Sequence, residues 1–533
     1  MTFPSISPYR AGSSRAPRAA EARARRTARL GHCVAALCAF AAMSLAGAGP
    51  VHAMNLMALG DSLAEGLCAN GGTTGATADC VNPYGTNPAY ATELGNYTAY
   101  PDFCTTFAQS MVENFNPGND KGGFRGPLLG KLRSAGTTVT MKGHVKSGST
   151  LALADRAHEG HGAWETRHIN YCVGGYMTAQ NPDTVLLEIG TNDLLGATAV
   201  TTIADNIMAT KTTIGSARRL LIASVPAHYV ASGANYVRDT AFETRRKALA
   251  QQVADRSNFN YPCTARNLPD MSVLKASEMN NGSGAGLHPN NAGYERMAEI
   301  WKSSLLTPEC QFDTRTFVTI GGILMESITA YGRYWLNGVS ATYHESGTLN
   351  TPDIPRYQSI CDTHPVCTFD TRLFIDGPSG PQESITAFNW IYNYTSAGAL
   401  QSSSALRSVT RYNTYICTYA APNTCVFDTR AIRSGSVETI TAYGRYFDFN
   451  QSTGAYIGSG LLTGVSRYVP ICNLKPASQT YCTFDTRTYV QLPGIAQYIE
   501  SITAYGRYWN FDAATGALLD SGTLASVASY KHP

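Results

Sequence analysis

Charge is scarce in this sequence: only 15% of its 533 residues are Asp, Glu, Lys or Arg, and the formal net charge is +3. Even that small excess includes the arginines between Arg10 and Arg29, so no basic stripe remains downstream to follow a nucleic-acid backbone. Long apolar runs are missing too, since the stretch from Cys33 to about Gly47 falls short of the roughly 20 residues that cross a bilayer. No histidines cluster beside the cysteines to make zinc sites. His158 and His161 read HEGH, not the HExxH that sets two ligands one helical turn apart, so no metal is expected. Those two histidines are assigned to the rim of a cleft or to surface hydrogen bonding. The Gly-rich GGTTGATAD at 71–79 lacks the Lys-Ser/Thr of a phosphate-binding loop, and no cofactor is implied.

What is present begins with an export signal. An Arg-rich stretch ending ARARRTARLGH precedes the apolar run, and PVHA ends at Ala53 with small residues at Val51 and Ala53. This predicts a signal peptide over 1–53, cleavage after Ala53, and a secreted chain, extracellular or periplasmic, without stable membrane insertion. Two of the fourteen cysteines, Cys33 and Cys38, lie in that segment, which leaves an even twelve. The close pairs Cys361/Cys367, Cys417/Cys425 and Cys472/Cys482 predict disulfides formed in an oxidising compartment. Of the remaining six, Cys68 and Cys80 can pair locally; partners for Cys104, Cys172, Cys263 and Cys310 stay undetermined.

A chain this long exceeds one hydrophobic core. Between Met54 and about Thr307 the apolar runs MNLMALG, TTVTMKG, DTVLLEIG and RLLIASVP alternate with helical patterns such as DTAFETRRKALAQQVADR. That alternation predicts an α/β domain over 54–308 whose parallel sheet is covered on both faces. Its functional loops belong at the carboxyl ends of the strands. From Cys310 the texture changes. CQFDTR, CTFDTR, CVFDTR and CTFDTR recur every 57 or 58 residues, each followed by a motif of the type ESITAYGRYW. Four β-rich repeats over 309–533 follow, either closed into a ring or standing as separate modules. If ITAYGRYW is one strand, alternation puts Tyr331, Arg333 and Trp335 on one face, and likewise Tyr505, Arg507 and Trp509. Packing between repeats, with Asp-Thr-Arg ion pairs such as Asp313 with Arg315, is one reading of that face; a platform for sugar rings is the other.

Chemistry concentrates in the first region. GDSLAEG, from Gly60 to Gly66, puts Ser62 at a strand-to-helix turn, where backbone N–H groups converge on a negative oxygen. DTVLLEIGTNDLL sets Asn192 just past a neighbouring strand, able to offer an N–H to a developing oxyanion. LHPNNAGYERMAEIW sets His288 in a loop before a helix that begins near Asn291. A serine, a histidine and an asparagine donor at one sheet edge form the constellation that acyl transfer needs.

GDSL at 60–63, GTND at 190–193 and LHPNNAGY at 287–294 resemble blocks I, III and V of the SGNH (GDSL) hydrolase family. AHEGHGAW at 157–164 resembles block II of its secreted, acetylxylan-esterase-like branch. The resemblance implies a flavodoxin-like three-layer α/β/α sandwich. It also implies that Ser62 is nucleophile and backbone oxyanion donor, Asn192 the side-chain donor and His288 the base. The third donor is the block II glycine amide, which falls on Gly162 or Ala163. The family's Asp three residues before the histidine is Ala285 here. A backbone carbonyl orienting His288, another carboxylate such as Asp270, or a site that only binds all stay open. The implied activity is that of a secreted serine esterase on carboxylic, above all acetyl, esters, with acetylated polysaccharide as a possible substrate. The alternatives are a catalytically impaired carbohydrate-binding or adhesion protein, and a lipase or lysophospholipase.

Overall fold

The computed structural model describes residues 53–66, 88–107 except 101, and 122–530 except 149, 234, 260, 281–285, 321, 339–342, 351–353, 363, 365, 378–379, 423, 434–435, 493–496 and 528. The expected signal peptide, apart from Ala53, the Cys68–Cys80 pair, the 71–79 loop and Ala285 lie outside the described residues.

The four apolar runs become strands. β1 (Ala53–Gly60) is central, flanked on one side by β2 (Thr138–Met141) and then β4 (Ala157–Gly160), and on the other by β5 (Thr184–Glu188) and β6 (Arg219–Ile222), all parallel. The expectation of a parallel sheet needs one correction. β3 (Val145–Lys146) pairs antiparallel with β4, so the sheet is mixed at that edge. Burial on both faces explains the continuous apolar spelling of β1 and β5. Met57, Leu59, Val185 and Leu187 face one layer of helices, Thr166–Gln180, Val200–Ile214 and Thr240–Ser257. Leu56, Ala58, Leu186 and Leu221 face the other, Arg125–Ser134 and Asn291–Leu306. A hairpin of β7 (Tyr229–Ser232) and β8 (Asn235–Arg238) stands off this sheet.

The second region is a closed ring of four sheets. Its first sheet consists of β9 (Thr314–Ile320), β10 (Ile323–Ala330), β11 (Arg333–Gly338) and β12 (Tyr343–Thr348), antiparallel in that order. The later copies repeat it as four-stranded sheets over 371–405, 429–461 and 486–523. Their first strands are β13 (Thr371–Gly377), β17 (Thr429–Arg433) and β21 (Thr486–Val490). β9 packs on β13, β13 on β17, β17 on β21 and β21 back on β9, which answers the open question of ring or modules.

ITAYGRYW is not one strand. Tyr331 and Gly332 form a two-residue turn with φ of 53° and 74°, and Tyr443-Gly444, Tyr505-Gly506 and Phe388-Asn389 do the same. Two successive residues at positive φ are what a tight hairpin of right-twisted strands requires. The shared face therefore dissolves: Trp335 and Trp509 are buried in sheet cores, 1% and 6% exposed, and no Tyr-Arg-Trp platform meets solvent. The Asp-Thr-Arg ion pairs are also corrected. Arg315, Arg372, Arg430 and Arg487 pair instead with Glu326, Glu383, Glu438 and Glu500 on the adjacent strand. The freed aspartates, Asp313, Asp370, Asp428 and Asp485, line a narrow axial channel. Burial raises all four carboxyls, to about 7 for Asp370 and Asp485 and about 8 for Asp428.

The predicted pairs Cys361–Cys367, Cys417–Cys425 and Cys472–Cys482 are disulfides, and Cys104–Cys172 and Cys263–Cys310 complete five among the described residues. Five disulfides fit an oxidising environment. Cys263–Cys310 ties the α/β region covalently to the ring. No helix among the described residues is long and apolar enough to cross a membrane.

Candidate active site

β1 runs into Asp61 and a single helical turn, Ser62–Glu65, at the carboxyl edge of the sheet. Two contacts fix this turn. Asp61 Oδ1 accepts from Leu63 N at 3.0 Å, capping the helix, and Asp61 N donates to Glu188 O at 3.2 Å. Gly60 is required there, because a Cβ would stand 1.7 Å from the Glu188 carbonyl oxygen. Ser62, 5% exposed, points its Oγ at His288 Nε2, 2.9 Å away across 226 residues of chain. With the ring proton on Nδ1, this bond presents the serine proton to a basic nitrogen.

His288 stands just before the helix Asn291–Leu306, whose start is fixed by Asn290 Oδ1 accepting from Ala292 N and Gly293 N. Burial alone lowers the imidazole to about 4, so it is neutral at physiological pH. Asp270 is not its orienting acid. Its Oδ1 accepts from Ser224 Oγ at 2.7 Å and Ser272 N at 3.0 Å. Burial pushes the Asp270 carboxyl up, but Arg246 and these hydrogen bonds outweigh it and hold it below the usual range. Nearness in sequence had suggested Asp270; its own local turn claims it.

The second motif folds over the same edge. His161 N donates to Gly60 O at 3.0 Å, and Trp164 N closes a turn onto His161 O at 3.2 Å. Ala163, the third residue of that turn, has φ of 62°, a conformation that favours glycine. Ala163 thus occupies the glycine-like position, with Gly162 before it. Asn192 Nδ2 donates to Trp164 O at 2.9 Å, and Asp193 accepts from Thr166 N and Thr166 Oγ1. These bonds lock the Asn192 and Ala163 loops together.

The assignment of His158 and His161 to a rim or a surface is wrong, since both are buried. His158 Nε2 meets Ser147 Oγ at 2.8 Å and its Nδ1 accepts from Gly160 N. His161 stacks on Trp164 with centroids 3.9 Å apart, and its Nε2 lies 3.2 Å from both Glu159 Oε2 and the Tyr176 hydroxyl. Glu159 and Tyr176 were missed by sequence reasoning. The HEGH motif carries the signal for the Glu159–His161 contact, and nothing in its spacing marks Tyr176. No group of three or more His, Cys, Asp or Glu among the described residues is set to hold a metal ion.

No protein-family model matches the chain, and no curated protein does. Among solved structures it is similar to a Clostridium thermocellum family 3 carbohydrate esterase, with 21% identity, 47% of this chain and 93% of that one covered, and a TM-score of 0.28. A carbohydrate esterase family 3 structure from Talaromyces cellulolyticus is similar at 20% identity, 34% and 89% coverage, and a TM-score of 0.29. A hemopexin fold protein from cow pea is similar at 6% identity, 40% and 94% coverage, and a TM-score of 0.31.

Proposed function

We propose that this chain is an exported serine hydrolase of carboxylic esters, acting through an acyl-Ser62 intermediate on small acyl groups such as the acetyl esters of polysaccharides. The observation that carries the reading is the Ser62 Oγ to His288 Nε2 hydrogen bond of 2.9 Å. His288 takes the serine proton as Oγ attacks the ester carbonyl, and the backbone N–H groups of Ser62 and of Ala163 or Gly162, with the second N–H of Asn192 Nδ2, receive the oxyanion. The protonated imidazole then gives its proton to the departing alcohol. Water, deprotonated by the same nitrogen, releases the acid and restores the serine.

The acyl preference, the polysaccharide and the export route rest on the sequence resemblance and the N-terminal signal. A second reading, a protein that binds esters or glycans without turning them over, is favoured by one observation: burial alone sets the titration of His288, and among the described residues no carboxylate charge acts on its imidazolium. The purified chain should hydrolyse p-nitrophenyl acetate and release acetate from acetylated xylan. Ser62→Ala should lower turnover by about 10³-fold or more. Equal rates for wild type and variant would end the hydrolase reading.

A further inference from the structure

Two carboxyl groups lie sealed directly beneath the nucleophile. Asp61 and Glu188 are both fully buried and within hydrogen-bonding reach of each other. Neither forms a salt bridge among the described residues. Among the described residues, Asp61 Oδ2 and both Glu188 oxygens have no hydrogen-bond donor. A further acid, Asp193, adds to the repulsion that raises Asp61. Two carboxylates that share a buried site without a cation cannot both ionise at neutral pH, because each adds repulsion to the other's lost hydration. One proton between them resolves both costs and turns two orphan oxygens into a donor and an acceptor.

The surroundings decide which oxygen carries it. Asp61 accepts a backbone N–H bond from Leu63 at 3.0 Å, which favours its anion. Glu188 receives none, and burial together with Asp61 drives its carboxyl far above the ordinary range, whereas Asp61 is raised only to about 7.

We propose that Glu188 is a protonated carboxylic acid at neutral pH whose O–H donates to Asp61, and that this pair makes Glu188 a positioning residue for the Ser62 nucleophile. The Asp61 anion caps the turn that starts at Ser62, and the Asp61 amide is already tied to the Glu188 carbonyl. An ionised Glu188 would push the Asp61 carboxylate off Leu63 N and rotate Ser62 away from His288. The effect on rate rests on the ester-hydrolase reading; the protonation state does not.

The test uses the full chain in two arms. Infrared difference spectra of wild type against Glu188→Gln at pH 7 should show loss of one protonated carboxylic C=O band; subtraction removes the raised axial aspartates, which both proteins share. In the kinetic arm, Glu188→Met leaves Asp61 without its donor and should lower kcat by about 10- to 100-fold with KM within about twofold. Glu188→Gln, whose amide N–H replaces the acid proton, should restore kcat to within about threefold of wild type. Absence of the lost band, or a Glu188→Met kcat equal to wild type, overturns the proposal. If wild type proves inactive on every ester, the hydrolase reading fails, and the infrared arm still decides the state of Glu188.

Discussion

The α/β region solves each structural problem once, whereas the ring solves one problem four times, and the places where a copy deviates show what each contact contributes. In the ring, an arginine from each inner strand pairs with the glutamate of its own sheet, and in three of the four copies it also bonds to the preceding sheet. Arg372 meets Ser327 Oγ, Arg430 meets Ser384 Oγ and Arg315 meets Ser501 Oγ, each at 2.6 Å. The fourth seam is broken. Thr439 stands at the acceptor position there, and among the described residues both Thr439 Oγ1 and Arg487 Nη1 lack a hydrogen-bond partner. Each glutamate also accepts from a tyrosine after the preceding sheet: Tyr357 for Glu383, Tyr412 for Glu438, Tyr468 for Glu500. For Glu326 the donor is Tyr530, so the C-terminal segment completes the first sheet and closes the circle. The site has no such redundancy; one strained residue, Ala163, or one buried acid pair has no second copy to compensate for it.

The comparison can be broken most forcefully at the closure. Tyr530→Phe removes a hydroxyl donor from a buried carboxylate and should cost about 1.5–3 kcal/mol in urea unfolding of the ring, against little change for substitution of an exposed tyrosine such as Tyr481. An unchanged midpoint would mean that the closing tyrosine is idle. A smaller effect of opposite sign is expected at the broken seam. Thr439→Ser frees the hydroxyl from the rotamer restriction of a branched Cβ, lets it accept from Arg487 Nη1, and should stabilise by about 1 kcal/mol. The smallest effect lies in the α/β region. Ala163→Gly relieves a left-handed alanine and, after the added entropy of the unfolded chain, should stabilise by about 0.5–1 kcal/mol. A loss of stability there would show that the methyl group is held by packing and not merely tolerated.

How far the sequence disclosed this structure follows the same division. β1, β5 and β6 were legible because a strand buried on both faces must be written in continuous apolar residues; the Ser62 and Asn192 loops follow from where β1 and β5 end, and His288 from the start of the helix Asn291–Leu306. The repeat period was legible for the same reason that the ring is regular. Pairings chosen by tertiary approach were not. ITAYGRYW has the β-branched and aromatic content of a strand, and only the glycine inside it, Gly332, signalled the turn that sends Trp335 inward. The arginines pass over the aspartates two residues away for glutamates on the adjacent strand, and Tyr530 finds Glu326 from 204 residues away. Glu188 reads in sequence as the polar end of a strand; only its burial against Asp61 gives it a role.

The central claim is that Ser62 and a neutral His288 act as one chemical unit, and its most direct test is the pH dependence of fluorophosphonate labelling of the full chain, read by peptide mapping. The account predicts a single adduct on the Ser62 peptide, absent in Ser62→Ala. Its rate should hold through neutral pH and fall by half near pH 4, where the buried imidazole gains its proton. No adduct on Ser62 from pH 4 to 9, or labelling indifferent to the loss of His288, would contradict it.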